Sequence, residues 1–254
     1  SPVNLEPWMS KTSVSEYVDW AMAIMRYWRS QGVELTWYSV ANEPSLVQVG
    51  LSGEFIRDAV KMLGARLKAE GFSTRLVIPD DVSPSSAAAD ARIILSDPEA
   101  RQYVAAVASH LYREPRSLMS NVTSVGAEFG VPVWMTEFYS TDPSPIAWAD
   151  IVHDMIANYN VSAVDYLWGF FGDWDPAQLI SVHQASGRFT GATITPAGYA
   201  MAQYARFVLP GAKRVETSSQ NSDVEVTAFV RDGKIVIVAL NKSQAAQSVK
   251  FAVQ

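Results

Sequence analysis

Two glutamates stand where an apolar run gives out: Glu43 in Ala41-Asn42-Glu43-Pro44, and Glu137 in Trp134-Met135-Thr136-Glu137-Phe138. A carboxylate there has no packing reason to exist, because burying a charge is unfavourable unless it is paired. About three βα units, at roughly 30 residues each, separate the two. Glutamates delivered from two strand ends to one rim of a β/α barrel supply the chemistry of a retaining glycosidase. One must be a protonated acid and the other an ionised nucleophile, about 5 Å apart. Asn42 adds an amide able to hold a hydroxyl. His110 and Tyr112 share one strand face by their period-two spacing and offer the carboxylates a pair of donors.

Other candidates are less specific. Asp80 and Asp81 follow Leu76-Val77-Ile78-Pro79 and suit a substrate contact or a helix cap equally well. A metal centre built from His110 and these aspartates lacks any recurring ligand spacing, so neither a metal nor a cofactor is expected. His153 and His183, in helix and loop contexts, are expected at the surface. Trp168, at the end of a fifth strand, and Trp174, in a loop, could each offer a flat face to a sugar ring. Most of the eight Trp and ten Tyr are expected to fill the core. The chain has no Gly-rich phosphate loop and no Gly-x-Ser-x-Gly elbow, which disfavours nucleotide binding and serine hydrolysis.

The elements that must position these residues can be read from hydrophobic period. Ser13-x-x-Glu16 is a capping box opening a helix with Val14, Tyr17, Val18, Ala21, Met22, Met25 and Trp28 on one face, stopped by Gly32. A strand over 35–41 ends at Asn42-Glu43. A helix with the stripe Ile56, Val60, Leu63 and Leu67 stops at Gly71, and a strand over 76–78 ends at Pro79-Asp80-Asp81. A helix over 85–95 precedes a strand from Tyr103 that ends at His110-Leu111-Tyr112. The alternation goes on with a helix over 117–129, a strand over 131–135 ending at Glu137, and a helix over 146–159. A strand over 163–168 and a helix over 197–208 complete it. Five strands, each followed by a helix, predict an α/β fold, either a parallel β/α barrel or a doubly wound sheet.

After Gly211 the period becomes two. Val224, Val226, Ala228 and Val230 alternate with polar residues, Asp232-Gly233 is a hairpin turn, Ile235 to Leu240 is an apolar strand, and 249–253 resembles another. Three or four strands have little core of their own, so this antiparallel appendage must pack on something larger.

Composition sets the outer limits. A chain of 254 residues with 18% charged residues is no disordered tail. A formal charge of −6 without a basic cluster argues against nucleic acid. No apolar run approaches the roughly 18 residues of a membrane span. The chain begins at Ser1-Pro2 with neither Met nor signal peptide, and an upstream segment is expected to have been removed. Zero cysteines exclude disulfides and thiolate chemistry.

At these residues the chain resembles glycoside hydrolase family 30, within the clan of retaining β/α-barrel glycosidases. Pro7-Trp8-Met9-Ser10-Lys11 is similar to the family's stretch after its third strand, Asn42-Glu43-Pro44 to its acid/base motif, and His110-Leu111-Tyr112 to its His-x-Tyr. Thr136-Glu137 is similar to its nucleophile motif. The most family-specific segment runs from Gly198-Tyr199 to Arg206-Phe207-Val208-Leu209-Pro210-Gly211, and Val238-Ala239-Leu240-Asn241-Lys242 resembles the hairpin of its side domain. The resemblance implies Glu43 as general acid/base, Glu137 as nucleophile, and Asn42 as a ligand of the sugar 2-hydroxyl. His110, Tyr112, Tyr139 and Trp168 would be further substrate-binding side chains.

The resemblance further implies an incomplete (β/α) barrel of about five parallel strands, corresponding to the family's fourth to eighth, with a small antiparallel β appendage. Residues 1–210 would form the partial catalytic barrel and 211–254 a partial side domain. The implied activity is endo-β-glycosidase action on an oligo- or polysaccharide, xylan first. Alternatives are a β-1,6-glucan or β-1,6-galactan, or a catalytically impaired fragment that only binds carbohydrate. The glucuronoxylan-cleaving branch carries basic residues after its eighth strand, where this chain reads Gly169-Phe170-Phe171-Gly172-Asp173, so no strict demand for glucuronate is expected. Secretion follows from the resemblance. Five strands leave two open edges, 35–41 and 163–168, and a homo-oligomer is the expected remedy.

Overall fold

Ser13 opens the first helix as the sequence requires: its side chain accepts from the backbone N–H of Glu16 while Glu16 accepts from the N–H of Ser13. That helix, α1 (Val14–Ser30), buries Tyr17, Val18, Ala21, Met22 and Met25. Trp28, expected on the same face, is instead exposed in the last turn of α1, beyond the buried stripe that ends at Met25. The computed structural model describes residues 12–46, 49–140, 142, 144–174 and 177–252. The stretch Pro7 to Lys11 lies outside the described residues.

The chain forms two compact units, Ser1–Phe138 with Tyr159–Asp165, and Tyr139–Asn158 with Tyr166–Gln254. The first is a curled half-barrel of five parallel strands, ordered β1-β2-β3-β4-β5. These are β1 (Trp37–Ser39), β2 (Arg75–Asp81), β3 (Val104–His110), β4 (Val133–Glu137) and β5 (Ala163–Val164). Between them run α2 (Gly53–Ala69), α3 (Pro84–Ser96), the short α4 (Pro98–Arg101) and α5 (Met119–Phe129). The central strands are buried on both faces, as parallel strands under helices must be. On α2 the stripe Ile56, Val60, Leu63 and Leu67 faces inward, and α5 closes on Gly130 in the left-handed conformation at φ 68°.

The two edge strands are shorter than their apolar runs. Of 35–41 only Trp37–Ser39 pairs, and of 163–168 only Ala163–Val164. An edge strand has one neighbour, and β5 gives up its pairing where Asp165 N–H makes a last bond to Met135 O, at 2.8 Å. Register brings the chemistry together: His110 pairs with Glu137 across β3 and β4, after an irregularity between Ser109 and His110. Two helix starts differ from the sequence reading. Pro84 occupies the first turn of α3, where its missing N–H loses nothing, and the start of the 117–129 helix is a tight 3₁₀ turn, Arg116–Leu118.

The second unit holds α6 (Pro145–Ala157), α7 (Pro196–Ala205) and two three-stranded sheets. One, β6 (Phe170–Gly172), β7 (Ile180–Ala185) and β8 (Arg188–Ile194), is absent from the sequence reading. Gly169, Gly172, Gly187 and Gly191 interrupt its alternation, and its strands are largely exposed. The other is the antiparallel appendage, with β10 (Val224–Arg231) paired to β11 (Lys234–Asn241) through the Asp232-Gly233 turn. Its third strand is β9 (Lys213–Val215), not the 249–253 run, whose described residues carry no strand. Among the described residues no helix is long and apolar enough to cross a membrane.

Candidate active site

Each glutamate is set by the turn that follows its strand. Beyond β1, Glu43 takes a left-handed backbone, φ 51°, and its N–H donates to the carbonyl of Asp80 at 2.9 Å. Asp80 is itself left-handed, φ 63°. Such conformations are unfavourable for residues with a Cβ and persist where surrounding bonds impose them. The loop carrying Glu43 is tied down by Asp81, whose Oδ1 accepts from Ser45 N at 3.3 Å and Ser45 Oγ at 2.8 Å. Glu137 closes β4, and its carbonyl accepts from Leu111 N–H at 2.9 Å.

The side chains converge on His110, which is 1% exposed. Its Nδ1 lies 3.1 Å from Glu43 Oε1, and its Nε2 lies 3.5 Å from Asp80 Oδ1 and 3.7 Å from Glu137 Oε2. Tyr112 donates its hydroxyl to Glu137 Oε1 at 2.8 Å. One carboxylate oxygen each from Glu43 and Glu137 and a ring nitrogen of His110 all lie within 4.8 Å of one another. That spacing suits a retaining pair; an inverting pair stands about 6.5–9.5 Å apart to admit a water. Glu43, His110 and Glu137 could each offer one ligand atom to a metal ion, through atoms that here make hydrogen bonds and close contacts within the cluster.

Charge balance follows the same geometry. Burial opposes a charge on the His110 ring, but the hydrogen bond and charge of Asp80, the charge of Glu137 and the Glu43 contact outweigh it. His110 therefore keeps its proton to higher pH than an ordinary imidazole. For Asp80, burial alone would raise the carboxyl; bonds from His110, Ser39 and Thr136 outweigh it and hold Asp80 below the usual range. Ser39 Oγ donates to Asp80 Oδ2 at 2.6 Å, and Thr136 Oγ1 donates to Oδ1.

Of the sequence candidates, the structure therefore brings Glu43, His110, Tyr112 and Glu137 together. Asn42 is exposed beside Glu43. Tyr139 and Trp168 belong to the second unit, where Trp168 stacks on Phe171 at 4.3 Å between ring centroids and Trp174 meets Phe171 edge-on at 4.9 Å. Asp80, with Ser39 and Thr136, is the part of the cluster that sequence reasoning undervalued. Its signal was the one that marked the glutamates, an acid at the end of an apolar strand. His153 is not a surface residue: the inward face of α6 also carries Trp148, Ala149, Val152 and Met155, and His153 is buried with them. His183 sits on β7 rather than in a loop, its Nε2 3.0 Å from Thr193 Oγ1.

A parallel β/α sheet with a close glutamate pair at its strand ends is the arrangement that β/α-barrel glycosidases use. Residues 211–254 match the glycosyl hydrolase family 30 beta sandwich domain. The glucuronoxylanase XynC of Bacillus subtilis (strain 168) is 27% identical over 238 residues, which is 90% of this chain and 52% of the relative. Among solved structures, the family 30 subfamily 8 xylanase Xyn30A of Clostridium acetobutylicum is similar with a TM-score of 0.73 and 25% identity, over 92% of this chain and 58% of that one. A family 30 endoxylanase of Clostridium papyrosolvens C71 has a TM-score of 0.73 and 26% identity, over 91% of this chain and 57% of that one. The chain is thus similar to glycoside hydrolase family 30 proteins along nine-tenths of its length, and residues 211–254 match that family's beta sandwich domain. It spans about half the length of the relatives it matches.

Proposed function

We propose that this chain carries the catalytic pair of a retaining endo-β-glycosidase acting on a polysaccharide, with xylan the first substrate. The observation that carries the reading is the approach of the Glu43 and Glu137 carboxylates within 4.8 Å. Glu43 gives its proton to the leaving oxygen while Glu137 attacks the anomeric carbon, forming a glycosyl-enzyme. Glu43 then takes a proton from the water that releases the sugar. Tyr112 and His110 hold the Glu137 carboxylate, and Asn42 is assigned to the sugar. Xylan is supported by the xylanase relatives, and the absence of Arg and Lys from Gly169 to Asp175 supports a preference that does not require glucuronate side groups.

A substrate of this kind lies outside the cell, and we place the protein there. We also propose self-association through β1 and β5, the strands at the two sides of the sheet, with a monodisperse 27.9 kDa species in light scattering as the contrary result. A second reading is carbohydrate binding without cleavage, in which the aromatic Trp168 and Trp174 serve as sugar platforms. A polysaccharide panel separates the two. Reducing-sugar release from xylan that disappears in Glu137→Gln supports the enzyme; retardation in affinity gels without turnover supports the binding reading.

A further inference from the structure

Asp80 is a third carboxylate in a site whose chemistry needs two. It is 8% exposed, and donors take up both of its oxygens: Ser39 holds Oδ2, while Thr136 and the His110 ring meet Oδ1. A carboxylate so occupied is poorly placed to shuttle protons or grip a hydroxyl. What distinguishes it is its reach along the chain. Its own carbonyl accepts the N–H of Glu43, and its side chain accepts from Thr136, the residue immediately before Glu137. One residue is thereby bound to the chain at both glutamates and to the imidazole between them.

We propose that Asp80 is the positioning residue of this site, a fixed negative charge that orients the His110 ring and so holds Glu43 and Glu137 at their working separation. The proposal rests on the retaining reading above. Its physical basis is the choice of ring nitrogen. A carboxylate facing Nε2 favours the ring forms that carry an N–H there, which fixes the ring and leaves Nδ1 to meet Glu43, accepting from Glu43 when that carboxyl carries its proton and donating to it when the ring is doubly protonated. The groups facing His110 are Glu43 from the loop after β1, Asp80 from β2 and Glu137 from β4, with the Tyr112 ring edge-on at 5.8 Å. Without the Asp80 charge, the buried ring would face only the two glutamates, one of which must carry a proton to act. Displacing a reacting group by about 1 Å can cost on the order of a hundredfold in rate.

The test uses Asp80→Asn, which keeps the shape and the backbone carbonyl but removes the charge. Thermal melting checks folding, and Ser39→Ala and Thr136→Val, which each remove one donor to Asp80, serve if Asp80→Asn does not fold. The chain has three histidines, so imidazole NMR can follow His110 directly. In Asp80→Asn the His110 titration should move to lower pH, and Asp80→Glu should restore part of the difference. In steady-state assays on xylan, kcat should fall at least about tenfold with KM within about twofold, the pattern of an interaction made in the transition state. The alkaline limb of the kcat profile should shift toward acid in step with His110. An unmoved His110 titration, or a raised KM at parental kcat, would overturn the proposal. A parent chain that cleaves nothing would sink the retaining reading instead, while the NMR titration would still decide whether Asp80 governs His110.

Discussion

The hydroxyl of Tyr112 donates to one oxygen of Glu137 over 2.8 Å, while the other oxygen of that carboxylate faces the His110 ring at 3.7 Å. The candidate nucleophile is thus aimed by two side chains of the neighbouring strand end. A hydrogen bond to a charged group contributes about 1.5–3 kcal/mol. Tyr112→Phe should therefore lower kcat/KM on an aryl glycoside about ten- to hundredfold, with the melting temperature little changed. Parental kinetics in that variant would show that the hydroxyl does not serve the reaction.

Asp90 offers a separate, purely energetic test. Burial, then the charges of Asp81 and Glu54, push its carboxyl up to about 6. A carboxyl raised on folding favours the folded state at low pH and opposes it once ionised, so the penalty is present above pH 6 and absent near pH 4. Asp90→Asn should raise the melting temperature at pH 8 and leave it unchanged at pH 4. A shift of this size bounds the gain at about 3 kcal/mol. An equal effect at both pH values would mean that charge is not the cause.

His153 has the opposite sense from His110. Burial lowers its affinity for a proton, against the charges of Glu225, Asp150 and Asp154. Below about pH 6.5 the unfolded chain binds a proton there that the folded chain refuses, and stability falls as acid is added. His153→Gln should flatten the acid side of the stability curve. His110, with its raised proton affinity, contributes stability at low pH that is lost as pH climbs through its folded value. Urea melts from pH 5 to 8 on the parent and the variant distinguish the two slopes.

Gly64 lies on α2 where the Tyr103 ring crosses it. A Cβ at Gly64 would stand 2.2 Å from Tyr103 Cγ, far inside any allowed contact. Gly64→Ala should destabilise by about 1–3 kcal/mol despite the better helix propensity of alanine. Pairing it with Tyr103→Leu should recover part of the loss, and an additive double variant would contradict the packing clash as the cause.

How far the sequence speaks depends on which force sets each residue. Helix α2 was legible because one stripe decides it and Gly71 stops it. Glu43 and Glu137 were legible because an acid that ends an apolar run gains nothing from packing there. Asp80 obeys the same rule, yet Pro79 before it and Asp81 after it suit a capped helix start as well. Only the bonds to Ser39, Thr136 and His110, from other elements, separate the two roles. The sheet of β6, β7 and β8 escaped because its residues are mostly exposed and its glycines break the alternation. His153 escaped for a related reason, since a polar side chain on a helix says nothing about what packs over it.

Stereochemistry of the first product tests the retaining pair most directly. Proton NMR of xylan or xylo-oligosaccharide hydrolysis, read in the first minutes, should show the β-anomer appearing before mutarotation supplies the α-anomer. Glu137→Ala with added azide should yield the α-glycosyl azide. An α-anomer formed first by the parent chain, or parental hydrolysis by Glu137→Ala, would contradict a retaining pair formed by Glu43 and Glu137.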